Sequence, residues 1–467
     1  MINKTDPNRI YSGATPDEVF KALEPLVDFQ DEGIPLPLLK EKLEDILIPH
    51  LMKYDHPGFH SLFNFFIEKG AELGAQMALK YNQGVTNWQV SPGGAALEEL
   101  CCQALCRLFG LSETADATFM FSGTYANQQA LFLALHRYAE RCGFDLSQKG
   151  LKGFQDVSRL RVLASKEAHF SLKHAVRILG LGEESLRLLD VDMDRRLRLE
   201  SLKELVKEIR MTHHEEVFCV VATAGTTSTG TIDPIRPISE ICGEMGSWFH
   251  VDGAYGLAYS LIPEMAPLYS GLEGVDSITW DPHKQFGVPI PSSILFLKNR
   301  ADFSRMAIFG EYFNRREGSQ PNPGLKSPPT TRPLAALPLV TNLLHLGKTG
   351  MIHRLRAPIL AVRELEKQMR NLPEIEVVHP PDTGILCYRI VPRGVGEADL
   401  NALQEKVYEK IQCGGTRSLS MTKLDGKSVL RLVALTAVVV TDDLMETVRE
   451  SLVISREFVR SQKGGDV

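Results

Sequence analysis

Five apolar runs in the middle of this chain each end in a small polar or charged cluster, and that repetition constrains the fold most. They read TFMFSGT from Thr118, RVLASKEAHFS from Arg161, VFCVVATAGTTS from Val217, WFHVDGAYG from Trp248 and SITWDPHK from Ser277. The third, Val217–Ala224, is apolar with almost no alternation, which predicts a parallel strand buried on both faces. Stretches with helical spacing lie between the runs, so the order reads βαβαβ. That pattern predicts a largely parallel sheet covered on both sides. In such sheets ligands bind outside the carboxyl ends of the strands, where these polar clusters fall.

At 467 residues the chain exceeds one simple core, and two or three structural units are expected. The pattern divides it into an N-terminal helical segment (1–75), a large domain (76–345) and a small C-terminal α+β domain (346–467). Helical periodicity in DEVFKALEPLVDF and LPLLKEKLEDILIPHL gives the first segment two amphipathic helices, whose apolar stripes must be buried somewhere. The net charge of −6 argues against a nucleic-acid partner. Eight cysteines are scattered without a Cys-x-x-Cys pair; Cys101, Cys102 and Cys106 share one helical stretch. A reducing cytoplasmic setting fits, and no metal site is expected. MINKTDPNRIYSG has no signal-peptide apolar core, and Val429–Val440 contains Arg431 and is too short to span a bilayer, so no membrane association is expected.

Two residues carry the chemistry. Lys284, in SITWDPHKQFGVP, sits between a strand end and a Gly/Pro-rich turn, where an amine could condense with an aldehyde if partly desolvated. A lysine in isolation is most often a solvated charge. The reading changes with Asp252, at the end of the apolar run WFHVD. A carboxylate at one strand end and a lysine after the next is the arrangement that holds pyridoxal phosphate: the amine takes the aldehyde and the carboxylate faces the ring nitrogen. From about residue 55 to the C-terminus, the chain resembles the group II pyridoxal-phosphate-dependent amino-acid decarboxylases, which have the aspartate-aminotransferase-like fold (fold type I). His-Val-Asp and Pro-His-Lys make the resemblance specific.

The resemblance implies an α/β large domain with a mostly parallel seven-stranded sheet, a small C-terminal domain, and a homodimer with active sites near its interface. It implies pyridoxal 5'-phosphate as cofactor and an amino acid as substrate, decarboxylated to its amine. Diaminobutyrate, glutamate or aspartate, and aromatic amino acids all remain open. Lys284 would carry the cofactor and Asp252 its ring nitrogen, with Ala254 alongside. Ser122, Gly123, Thr124 and His283 would hold the phosphate, although Ser122-Gly123-Thr124 alone could be an ordinary helix cap. His169 would stack on the ring, with Ser171 beside it and His174 one turn into the next helix. Thr226 and Thr227 would lie beneath the ring. In the long Pro/Gly-rich stretch 306–331, Tyr312 is the candidate proton donor to the substrate carbon, and Arg332 would support a site across the dimer interface.

Asn87, Trp88 and Gln89 would line the substrate side, closest in pattern to the diaminobutyrate and aromatic branches. His56–Phe66 would lie near the substrate entrance, or pack as an aromatic loop in the core. The chain departs from the family after Leu430-Arg431, where LVALTAVVV stands in place of the usual Asn-Pro. Other readings on the same scaffold are a carbon–carbon lyase of the phosphorylated sphingoid-base type, a decarboxylating aldehyde synthase, and a non-catalytic paralogue.

Overall fold

The computed structural model describes residues 8–310 and 320–463, the last two by backbone only. The chain divides into two compact units, one of residues 67–357 and one that joins residues 1–66 to 358–467. These limits differ from the three segments expected because the N-terminal stretch is tied to C-terminal strands. A two-residue strand, β1 (Phe59–His60), pairs in parallel with residues 418–419. Ile10 is fully buried and its N–H donates to Gly415 O at 2.7 Å.

The larger unit contains β2 (Asp116–Met120), β3 (Leu160–Ser165), β4 (Leu186–Leu189), β5 (Glu216–Thr223), β6 (Trp248–Asp252), β7 (Ser277–Trp280) and β8 (Ser293–Leu297). They form one sheet in the order β2-β8-β7-β6-β5-β3-β4. β8 runs antiparallel to β2 and β7, and the remaining pairs are parallel. This is the mostly parallel seven-stranded sheet expected.

β5 and β6 are buried along almost their whole length, which explains their unalternating apolar sequence. Phe218, Cys219, Val221 and Trp248 pack with Leu131, Ala134 and Leu135 of the helix Gly123–Arg141. Burying each large apolar side chain contributes about 1.5–3 kcal/mol. In this register Thr223, Asp252 and Thr279 lie side by side on β5, β6 and at β7. The strand exits at residues 121–123, 166–171, 224–228, 253–256 and 281–284 therefore share one rim.

The loop from residue 320 is fastened by two cations, buried Arg332 and half-buried Lys326. Arg332 pairs with Glu98 of the helix Pro92–Leu108 and donates to Ser327 Oγ and, at 3.3 Å each, to Phe119 O and Thr118 Oγ1. Lys326 bridges Glu99 and Asp116. Burial pushes the Glu98 carboxyl up, and the Arg332 guanidinium opposes the shift. Arg332→Met would strand the Glu98 charge in the interior and should destabilise the protein by about 3–5 kcal/mol. Arg332→Met with Glu98→Leu, which removes both charges, should recover most of that loss in denaturant unfolding.

In the smaller unit β9 (Ile375–Val377), β10 (Ile385–Ile390), β11 (Ser418–Leu424) and β12 (Lys427–Val433) join β1 in the order β1-β11-β12-β10-β9. The pairings beyond β1 are antiparallel. Asp425-Gly426, both with positive φ, make the β11–β12 turn that the Asp-Gly dipeptide predicts. Leu403, Val407 and Ile411 of the helix Glu397–Gly414 pack with Leu386, Leu430 and Leu432. Within His56–Phe66, Phe59, His60 and Phe65 are buried. The helices Pro16–Leu23 and Leu36–Ile46 bury no residue within the chain.

Candidate active site

Lys284 lies in a four-residue helical turn, Pro282–Gln285, that follows β7. Its Nζ stands 3.0 Å from Asp281 Oδ2, and its side chain is 22% exposed. The other carboxylate oxygen of Asp281 accepts from Ser293 Oγ at 2.6 Å, so the first residue of β8 braces the lysine's partner. A side chain at Gly123 would run into the same carboxylate, its Cβ 2.6 Å from Asp281 Oδ2. Glycine is needed there so that the start of the helix Gly123–Arg141 can approach the lysine turn. Ser122 caps that helix, its Oγ accepting the Tyr125 N–H at 3.2 Å. The N–H groups of Gly123 and Thr124 have no intrahelical partner, as at any helix start.

Asp252 ends β6 and is buried. Its Oδ2 accepts from Asn127 Nδ2 at 2.8 Å and its Oδ1 from the Ala254 N–H at 3.1 Å. Half-buried His169 lies within electrostatic reach of Asp252, Lys284 and Asp281 together. Burial pushes its imidazole below the usual range, Asp252 opposes the shift and Lys284 reinforces it. The Ser171 N–H donates to His169 Nδ1 at 3.2 Å, so the neutral ring carries its proton on Nε2. His283 is also pushed down by burial, and its Nδ1 lies 2.6 Å from Ser292 O.

The structure thus brings Lys284, Asp252, His169, Ser122, Gly123, Thr124, Ala254 and His283 to one rim. The Thr226 hydroxyl is engaged in its own turn, 2.6 Å from Thr229 Oγ1 and accepting from Thr231 N at 3.2 Å. Half-buried Thr227 is the more open neighbour. Gly225 takes φ +94°, and a Cβ there would meet the Tyr255 ring at 2.9 Å, so the β5 and β6 exits lie against each other. His174 sits in the helix Ser171–Ile178 and packs edge-on to Phe170. Asn87 is buried and Trp88 partly exposed. Tyr312 lies outside the described residues, and Arg332 is occupied by its pairing with Glu98.

Sequence reading missed Asn127, His250 and the bracing of Asp281 by Ser293. Two signals were present. Asn127 is a poor helix former in a helix interior, and His250 falls two residues before Asp252, hence on the same strand face.

Buried, neutral histidines make the fold sensitive to acid. Burial pushes His60 down to about 3, helped by the Arg417 charge, and His250 down to about 4. Both protonate near 6.5 in the unfolded chain, so their contribution is complete above about pH 6.5 and is lost as pH falls towards about 4 and 3. Near pH 5 each should have lost about 2 kcal/mol. The melting temperature should fall steeply between about pH 7 and 5, and His60→Gln should flatten that slope.

The donor set fits pyridoxal phosphate. A partly buried amine stands at one end, a buried carboxylate at another, and a helix start held open by Gly123 lies beside the amine. Thr223 Oγ1, Thr279 Oγ1 and Ser292 Oγ are buried along this rim without a hydrogen-bond partner among the described residues. Sheet and site together define an α/β enzyme of fold type I built around that cofactor.

Comparison with known proteins makes the assignment specific. Residues 18–391 match the pyridoxal-dependent decarboxylase conserved domain. The chain is 29% identical over 437 residues to L-2,4-diaminobutyrate decarboxylase of Rhizobium meliloti (strain 1021), covering 91% of this chain and 83% of that one. It is 26% identical over 458 residues to acidic amino acid decarboxylase GADL1 of Homo sapiens, covering 95% and 86%. Its fold is similar to that of the crystallised glutamate decarboxylase domain of diaminobutyrate-pyruvate transaminase and L-2,4-diaminobutyrate decarboxylase from Vibrio parahaemolyticus. The TM-score is 0.86 at 24% identity, over 96% of this chain and 91% of that one. The chain belongs to the pyridoxal-dependent decarboxylase family, and it is a carboxy-lyase acting on an amino acid with pyridoxal phosphate as cofactor.

Proposed function

We propose that this enzyme decarboxylates L-2,4-diaminobutyrate, with acidic amino acids as the second substrate class to test. The relative from Rhizobium meliloti supports the first choice and GADL1 the second. The observation that carries the catalytic reading is the grouping of Lys284, Asp252 and His169 on exits of β7, β6 and β3, with His169 within electrostatic reach of both of the others. In this reading Lys284 carries the cofactor and Asp252 faces its ring nitrogen. His169 covers one ring face, and Ala254 and Thr227 border the ring. Ser122, Gly123, Thr124 and His283 hold the phosphate.

When bound, the cofactor supplies the electron sink for the pair released as carbon dioxide leaves. The chain's own groups do the rest. Asp252 presents anionic oxygens to a cationic nitrogen and so favours its protonated form. The Lys284 amine shuttles protons at Nζ while Asp281 balances its charge. His169, neutral with its proton on Nε2, shields a ring face without adding positive charge.

The protein is read as a cytoplasmic homodimer. None of the eight cysteines forms a disulfide, and no helix among the described residues is long and apolar enough to cross a membrane. Phe20 (77% exposed) and Leu36 (79% exposed) stand on helices that bury nothing in their own chain, as expected of a surface that a second copy covers. The test of the substrate reading is carbon dioxide release from cofactor-supplied protein offered L-2,4-diaminobutyrate and each common amino acid, with hydrogen peroxide measured in parallel. Release strongest with diaminobutyrate and free of peroxide supports it. Release from none of them removes it, and stoichiometric peroxide would redirect it to an aldehyde-forming relative.

A further inference from the structure

Behind Asp252 runs a buried chain of polar groups whose direction is set from the Asp252 end. Trp248 Nε1 can only donate, and it does so to Ser277 Oγ at 2.7 Å. His250 Nδ1 lies 2.8 Å from Ser277 Oγ and 3.1 Å from Ser277 O. His250 Nε2 lies 3.0 Å from Asn127 Oδ1, which accepts only, so the ring proton sits on Nε2. The Asn127 amide then directs its hydrogens to Asp252 Oδ2 at 2.8 Å and Ser171 Oγ at 2.9 Å. An ionised carboxylate can only accept, so Asp252 demands this orientation of Asn127. Trp248, Ser277, His250, Asn127 and Ser171 are all essentially removed from solvent, so water cannot substitute for a missing member cheaply.

We propose that Asn127 and His250 are positioning residues that hold the Asp252 carboxylate oriented towards the cofactor's ring nitrogen, and so set the affinity for the nitrogen-bearing ring. The inference rests on the reading that Asp252 meets that nitrogen. Every group that reaches Asp252 from behind is a donor: Asn127 Nδ2 at one oxygen and the Ala254 N–H at the other. If Asn127 were free to turn over, its carbonyl would oppose the carboxylate and repel it. His250 prevents that by offering a hydrogen where only the carbonyl can receive it, and the Ser277 hydroxyl, donating to Nδ1, holds that hydrogen on Nε2 against the pull of Ser277 O. Asn127 thus acts on Asp252, and His250 acts through Asn127.

The test compares two ligands that differ at one ring atom, pyridoxal 5'-phosphate and its 1-deaza analogue, which has carbon in place of the ring nitrogen. Dissociation constants are measured by absorbance titration of cofactor-free wild type, Asn127→Ala, His250→Phe and His250→Gln, with melting curves as the check on folding. The wild type should prefer pyridoxal phosphate. Asn127→Ala should weaken pyridoxal phosphate about tenfold or more, the scale of a lost hydrogen bond to a charged group, and leave the deaza analogue unchanged. His250→Phe should shift the ratio in the same direction, and His250→Gln, which restores an N–H towards Asn127, should return most of it.

Equal weakening of both ligands would mean a merely structural role and overturn the proposal. So would an unchanged ratio in folded Asn127→Ala. If neither large variant folds, Ser277→Ala removes a single hydroxyl and is judged by the same ratio. A wild type that binds both ligands equally overturns the Asp252–nitrogen reading itself, and the inference with it.

Discussion

Lys284→Ala protein, supplied with pyridoxal phosphate and treated with borohydride, should carry no pyridoxyl mark on the peptide containing residue 284. Its decarboxylation should fall by at least about a thousandfold, since the group that forms the covalent link is gone. The substitution should also weaken the fold. Asp281 is only 3% exposed, and Lys284 Nζ is 3.0 Å from it. Without the cation, Ser293 Oγ at 2.6 Å remains as a partner for one carboxylate oxygen. Leaving the second oxygen short of its partner should cost about 1–3 kcal/mol, visible as a lower melting temperature. Lys284→Arg separates the two roles: it keeps a cation beside Asp281 and should recover stability without recovering the mark or turnover. A marked peptide in the alanine variant would move the covalent link to another residue and refute the assignment.

Asp252→Asn should lower turnover by about two to three orders of magnitude, the scale seen when one preorganised electrostatic group is removed from an active site. Charge is not the whole of the loss. Both neighbours of the carboxylate are donors, Asn127 Nδ2 at Oδ2 and the Ala254 N–H at Oδ1. An amide at residue 252 can satisfy one of them and must set its own NH2 against the other. That mismatch adds about 1–3 kcal/mol of destabilisation, so the variant should melt lower although it is nearly isosteric. The matched measurement is kcat/KM beside the melting temperature. Near-normal turnover would disprove the role given to Asp252, and a loss of turnover with unchanged melting would disprove the donor–donor mismatch.

The scaffold was legible in the chain because its strands are buried on both faces. Continuous apolar runs at Val217–Thr223 and Trp248–Val251 admit few alternatives once helical spacing alternates with them. The rim followed from the same logic, since polar residues directly after a buried strand have one place to go. What sequence spacing did not convey was which polar groups meet across the sheet. Asn127 and His250 are 123 positions apart yet bonded at 3.0 Å, and Asp281 meets Ser293 because β8 folds back along β7. Nor did spacing convey that Arg332, in its Thr-Arg-Pro turn, is buried against Glu98 of the same chain. Unit limits depended on a two-residue strand, β1, too short to leave a periodic signal.

The reversal of β8 has a mechanical consequence. Its neighbours contribute their last residues to the catalytic rim, whereas β8 contributes its first, Ser293. The stretch from Pro282 to Ser292 is therefore pinned at both ends to a single carboxylate, with the ammonium on one side of Asp281 and the hydroxyl on the other. Its length acts as a fixed gauge rather than slack connecting chain. Evolution can lengthen other rim loops to reshape what the enzyme accepts, but an added residue here would detune the reactive amine before it altered selectivity.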